Sequence, residues 1–176
     1  LPPLVARARA GGRVRIWSSA CSTGEEVWSI AATLRRLCPD AGTLDLRVLA
    51  SDVDRKALAT AEAGRYGAEA QAALSADRQR LLFGAAEGTV LPDLRASLRF
   101  RHLNLIGPWP MRGRFDVIFC RNVVIYFDKP TQERLWSRFA EALVPGGWLY
   151  IGHSERVTGP AAPYFAPEGV TTYRRI

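Results

Sequence analysis

A chain of 176 residues, 48% of them hydrophobic, fills one sizeable core and leaves too little for two, so a single domain is expected. It has no apolar run of about 18 residues and no charged lead into an apolar stretch, which excludes a membrane-spanning helix and a signal peptide and predicts a soluble, cytoplasmic protein without membrane insertion. Cys21, Cys38 and Cys120 form no C-x-x-C pair, which argues against a disulfide framework or a metal site, and the net charge of +7 would attract an acidic protein partner or a nucleic acid.

Residues 1–12, with Pro2, Pro3, Gly11 and Gly12, read as a lead-in from a missing N-terminal region. The chain opens on Leu1 instead of Met, so a longer parent chain is expected. From residue 13 to 176 the pattern is that of one domain. Val14 to Ser18 alternates as a strand, and Gly24-Glu25-Glu26 opens a helix with Ile30, Leu34 and Leu37 on its apolar side, ended by Pro39, Asp40 and Gly42. Leu44 to Ala50 is a second strand. Arg55 to Ala63 has helical composition and stops at Gly64. Ser75 to Leu82 is a further helix, and residues 83–98 form a small irregular or hairpin-bearing insertion. Leu98 to Leu103 resumes as a strand. Phe115 to Cys120 is almost wholly apolar, as a central parallel strand covered on both faces must be. Lys129 to Leu143 is helical, with Pro130 allowed in the first turn and Pro145-Gly146-Gly147 closing it. Trp148 to Gly152 is a buried strand, and Val170 to Arg174 is expected as an antiparallel hairpin edge. Repeated strand, turn and helix units of this length predict an α/β fold with a mostly parallel sheet, an antiparallel edge strand and a small inserted subdomain.

In such sheets ligands bind at the carboxyl ends of the strands, and four of those ends carry polar clusters. The first is Trp17-Ser18-Ser19-Ala20-Cys21-Ser22-Thr23-Gly24-Glu25-Glu26. Its small residues admit a ligand to the backbone, and its two glutamates would repel a pyrophosphate and attract an ammonium or sulfonium group. Equally, Ser22 or Thr23 is an N-cap and the glutamates are ordinary first-turn residues. The second is Asp52, where an acidic residue accepts both ribose hydroxyls, although Asp52 and Asp54 also suit the cap of the next helix. The third is Asn104-Leu105, where an adenine ring would meet apolar atoms and Asn104 its edge; an Asn after a strand is also a common turn residue. The fourth runs from Cys120, Arg121 and Asn122 to Tyr126 and Asp128. Arg121 suits either ligand binding or a structural ion pair, and Tyr126 either substrate contact or core packing. Cys120 reads as a small buried residue, because His102 and His153 are too few for a Cys-His pair or a metal site.

The blocks Trp17 to Glu26, Ala50-Ser51-Asp52-Val53-Asp54, Asn104-Leu105, Phe115 to Asp128 and Gly152-His153-Ser154-Glu155 together resemble the chemotaxis receptor glutamate methyltransferase family, CheR-type. The resemblance runs in order from about Arg13 to the C-terminus. It implies a Rossmann-like class I methyltransferase fold using S-adenosylmethionine and releasing S-adenosylhomocysteine, without a metal. It further implies that Ala20, Cys21 and Ser22 bound the cofactor and that Glu26, or its neighbour Glu25, faces the methionine part. Asp52 would hold the ribose, Asn104 and Leu105 border the adenine, and Cys120 and Arg121 line the cofactor pocket. Arg121 and Tyr126 are the expected catalytic residues, with Tyr126 orienting the incoming carboxylate. The implied partner is the cytoplasmic region of a methyl-accepting chemoreceptor, acted on by a monomer.

Three departures stand out. Val27-Trp28 replaces the family's usual Pro-Tyr, and neither the Asn-x-Thr-x-Phe-Phe-Arg motif nor the helical N-terminal receptor-recognition domain is present in these residues. The segment 83–98, where the family carries a small β-subdomain, is short, so tethering through a receptor C-terminal peptide is not expected. A non-catalytic S-adenosylmethionine-binding sensor or scaffold module of a fusion protein is the competing reading. A nucleic-acid methyltransferase is disfavoured, because there is no Asn/Asp-Pro-Pro-Tyr base pocket and no basic strip interleaved with aromatics.

Overall fold

The computed structural model describes residues 1–84 and 88–176. Its elements follow as α1 (Pro2–Arg9), β1 (Val14–Ser18), α2 (Glu25–Leu37), β2 (Leu46–Asp52), α3 (Arg55–Ala63), α4 (Ala68–Ala72) and α5 (Ala76–Phe83). Then come β3 (Leu98–His102), β4 (Phe115–Cys120), α6 (Lys129–Ala142), β5 (Leu143–Ile151), β6 (Phe165–Gly169) and β7 (Thr172–Arg175). The sheet order is β3-β2-β1-β4-β5-β7-β6; the first five strands run parallel, and β7 is antiparallel to both β5 and β6. Among the described residues no helix is long and apolar enough to cross a membrane.

Parallel strands buried on both faces need apolar side chains on both, and the central ones have them. Val14 and Ile16 of β1, Val48 and Ala50 of β2 and Val117 of β4 face a core closed by α1, α2, α3 and α5. Trp17 of β1 and Ile118 and Cys120 of β4 face a second core under α6, built on Leu135, Trp136 and Phe139. Phe115 lies in the second core and Val117 in the first, and the register against β5 shifts between them. The chain therefore leaves β1 for a helix on one face and leaves β4 for a helix on the other. The two neighbouring strands part at their carboxyl ends, which opens a crevice there.

Several elements differ from the reading of the sequence. Residues 1–12 were expected as a lead-in, yet residues 2–9 form α1, with both prolines in its first turn, where a missing N–H costs nothing. Val5 and Ala8 are buried in the first core, and Arg7 pairs with Asp116 on β4. Strand β5 begins at Leu143 and runs through Pro145-Gly146-Gly147, because the Phe115↔Leu143 pairing and the register shift absorb those residues in the sheet. The expected antiparallel hairpin edge is present as β6 and β7; β7 is the expected strand, and β6, which the sequence did not announce, is outermost. Pro167 fits in β6 because an edge strand needs fewer donors. Of the expected insertion at 83–98, residues 85–87 lie outside the described residues. Around them Arg65 bridges Thr89, and Pro92–Ser97 forms a 3₁₀ turn.

Asp116 is the anchor of α1: one carboxylate oxygen meets Arg7 and the other accepts the Arg15 backbone N–H at 2.7 Å, while the residue is 6% exposed. Asp116→Ala leaves that N–H without its acceptor and is expected to lower the unfolding free energy by about 1–3 kcal/mol in urea titration. Arg7→Ala should cost less, because the arginine side chain is 44% exposed and its ion pair is screened by solvent.

Candidate functional site

A cavity of about 590 Å³ opens between the ends of β1 and β4, within the range of small-molecule sites. Ala20, Cys21 and Ser22 form one side, Glu25, Glu26, Ser29 and Thr33 of α2 another, and Phe119, Arg121 and Asn122 the third. The loop after β1 is fixed from beneath. Ser19 N–H donates to the Phe119 carbonyl at 2.9 Å, Cys21 N–H to the Ser51 carbonyl at 2.9 Å, and the Trp17 indole N–H to Ser51 Oγ at 2.9 Å.

Helix α2 begins after Gly24, which holds φ 101° and provides no side-chain cap. Neither Ser22 nor Thr23 caps the helix; Thr23 Oγ1 donates to the Glu25 carboxylate at 2.8 Å instead. The two glutamates differ in their surroundings. Glu25 is exposed, whereas Glu26 is turned into the crevice, where Oε1 accepts from Ser18 Oγ at 2.9 Å and Oε2 lies 3.4 Å from Arg121 Nη1. Burial pushes the Glu26 carboxyl above the usual glutamate value, against the opposing pull of the Ser18 hydroxyl and the Arg121 guanidinium. A desolvated carboxylate met by one weak ion pair is a site for a cation, and the acidic first turn makes it a poor one for phosphate.

The aspartate that ends β2 and the one that follows it also separate. Asp54 caps α3, accepting from Lys56 and Ala57 N–H, so Asp52 is left free of that task. Asp52 accepts the Ser22 N–H at 2.8 Å and the Asp54 N–H at 2.9 Å, which ties the end of β2 to the wall of the cavity without lining it. Asn104 follows β3 as a turn residue, its Oδ1 accepting from Ile106 N–H at 3.1 Å, and Leu105 is packed in the second core. Neither lines the cavity. Cys120 is fully buried beneath it, and burial raises its thiol far above the usual range. The Cys21 thiol, in the cavity wall, is pushed up to about 12 by burial and then by Asp52. Neither is a nucleophile. Tyr126 ends a 3₁₀ turn with 79% of its surface exposed, which removes the core-packing reading.

Leu1, Ser29, Ile30, Thr33 and Phe119 line the cavity without having been singled out in the sequence as site residues, whereas Asn122 belongs to the fourth cluster. The spacing of Glu25, Ser29 and Thr33, four residues apart on one helix face, was the available signal. Among the described residues no group of three or more His, Cys, Asp or Glu could hold a metal ion.

Gly24 sets the direction in which α2 presents its glutamates. A Cβ there would lie 2.8 Å from both the Ala61 Cβ and the Tyr66 hydroxyl, at a φ that side chains rarely adopt. Gly24→Ala is expected to destabilise the domain by about 1 kcal/mol or more in thermal unfolding, and to weaken ligand binding in calorimetry at temperatures where the variant is still folded.

Residues 1–173 match the family described as CheR methyltransferase, SAM binding domain. A probable chemotaxis protein methyltransferase of Rhizobium etli is 49% identical over 99% of this chain and 67% of its own length. A chemotaxis protein methyltransferase of Klebsiella aerogenes is 43% identical over 98% of this chain and 61% of its own, and a second-numbered one of Pseudomonas aeruginosa is 42% identical over 81% and 53%. The chain thus spans between about half and two thirds of the length of these relatives. Among solved structures, the N-methyltransferase NodS of Bradyrhizobium japonicum in complex with S-adenosyl-L-homocysteine superposes with a TM-score of 0.54 at 13% identity, over 99% of this chain and 85% of that one. That likeness concerns the fold, and it agrees with the Rossmann-like class I arrangement of the sheet. On the match of nearly its whole length and on these relatives, the chain belongs to the CheR methyltransferase family, of which it is the S-adenosylmethionine-binding domain.

Proposed function

We propose that this domain transfers a methyl group from S-adenosylmethionine to glutamate side chains in the cytoplasmic region of methyl-accepting chemoreceptors, acting in the cytoplasm as a monomer. The observation that carries the reading is the half-buried Glu26 carboxylate, tied to Ser18 and to Arg121 at the parting of β1 and β4. Its charge suits the ammonium or sulfonium of the cofactor, and the small residues Ala20 and Ser22 leave the backbone open beside it. Asp52, no longer needed as a helix cap, is the residue for the ribose, and the turn at Asn104 and Leu105 is the border for the adenine. The chemoreceptor as substrate is supported by the relatives' names, and the charge of +7 suits an acidic protein segment.

S-adenosylmethionine, when bound, supplies a methyl group already activated by its sulfonium. A glutamate carboxylate is ionised at neutral pH, so no strong general base is required of the chain. What remains is alignment and exclusion of water. Arg121 meets Glu26 by a single 3.4 Å contact, which leaves most of its planar donor fork for an incoming carboxylate. Tyr126 does not line the cavity, but it is exposed on the loop that starts at Arg121, and its hydroxyl is the one assigned to the same group.

The decisive assay transfers tritiated methyl to receptor-containing membranes with the intact protein; a label released by mild base is the ester expected, and a base-stable label excludes glutamate as acceptor. In that assay Tyr126→Phe should lower turnover roughly tenfold or more, as loss of a hydrogen bond to a charged group does, with cofactor affinity unchanged. Equal losses in both, or none, would remove Tyr126 from this role. Cofactor affinity should fall as pH drops through the Glu26 titration, because a proton on Glu26 cancels the charge that the cation meets. The midpoint should lie above the ordinary glutamate value, in keeping with the upward shift, and calorimetry across pH should find the dependence lost in Glu26→Gln.

A further inference from the structure

Glu155 is 4% exposed and does not line the cavity, yet among the described residues its carboxylate accepts the most backbone N–H groups. Oε1 accepts the backbone N–H groups of Val123 at 3.0 Å and Val124 at 2.8 Å; Oε2 accepts those of Gly152 at 2.5 Å and Asn122 at 3.3 Å. No cation pairs with it among the described residues. A buried carboxylate without a counter-ion is tolerated only where oriented dipoles replace its water, and here four amides do so.

Those amides come from two loops, one leaving the carboxyl end of β4 and the other that of β5. The first loop begins at Arg121 and ends at Tyr126. Within it Asn122 holds φ 58°, a conformation a non-glycine residue keeps only when its surroundings fix it. The second loop can approach because residue 152 is glycine. A Cβ there would lie 2.8 Å from Glu155 Oε2 and 3.0 Å from the Asn122 nitrogen. Resting on the methyl-transfer reading above, we infer that Glu155 is a positioning residue. Its carboxylate clips the β4 and β5 loops together and so fixes where Arg121 and Tyr126 stand relative to the crevice. It touches neither cofactor nor substrate.

Glu155→Gln keeps the shape, but its NH₂ group cannot accept, so one pair of loop amides loses its acceptor. In the intact protein, Glu155→Gln is expected to lower the turnover of receptor methylation about tenfold or more while the S-adenosylmethionine dissociation constant stays within about threefold. Hydrogen exchange should show lost protection at one pair of amides, either Val123 and Val124 or Gly152 and Asn122, with α6 still protected. Gly152→Ala, which crowds the carboxylate without removing it, should give the same split and serves if Glu155→Gln does not fold. Unchanged exchange at those amides overturns the clip. Lost protection with full turnover, or turnover and cofactor affinity falling together, overturns the positioning role. Failure of the wild-type protein to form a base-labile methyl group on any receptor sinks the methyl-transfer reading and the positioning role with it, while the exchange measurement still judges the clip.

Discussion

Strands β1 and β4 lie side by side, and their chains depart to opposite faces of the sheet. Everything at the site follows from that parting. Because both faces of the central strands are covered, apolar side chains fill the body of the sheet, and polar groups find room only where the strands end. The parting then supplies a crevice at that level. Ser18, Glu26 and Arg121 come from three different elements and meet there because none of them has a place deeper in the sheet.

Acidic side chains at the carboxyl edge divide the work, and the division is one of hydrogen-bond donors. Asp54 serves a helix end, Asp52 ties two loops, Glu155 gathers four amides, and Glu25 takes a hydroxyl. Glu26 is the one of these left with a hydroxyl and a distant guanidinium, and it is the one that burial makes reluctant to ionise. Three of these carboxylates are held by backbone N–H groups, and the two on α2 by side chains alone.

The parallel strands were legible in the sequence because buried strands leave apolar runs, with Phe115 to Cys120 the plainest; the edge strand β6, with Pro167 and Gly169, leaves no such run and was not. The clusters at their ends were legible for the same reason: polar residues next to such runs are conspicuous. The choice between neighbours was not. Asp52 and Asp54 have the same side chain and stand two residues apart, and only the geometry of α3 assigns the cap to one of them. Glu25 and Glu26 are separated only by the direction in which α2 starts. Helix α1 was illegible because its two prolines mimic a loop and its anchor, Asp116, lies more than a hundred residues away. Glu155 belonged to a block recognised in the sequence, but its task depends on two loops brought together by the sheet.

The thiol of Cys21 forms part of the cavity wall, and it is held protonated by burial and by Asp52. A site built for an alkylating cofactor has a chemoselectivity problem, since sulfur is a better nucleophile than a carboxylate and this one is permanently at hand. With its pKa pushed up to about 12, the thiol stays protonated at neutral pH and is a poorer nucleophile than an ordinary cysteine. Burial first, and Asp52 after it, thus disarm the nearest competitor for the methyl group of a cationic donor.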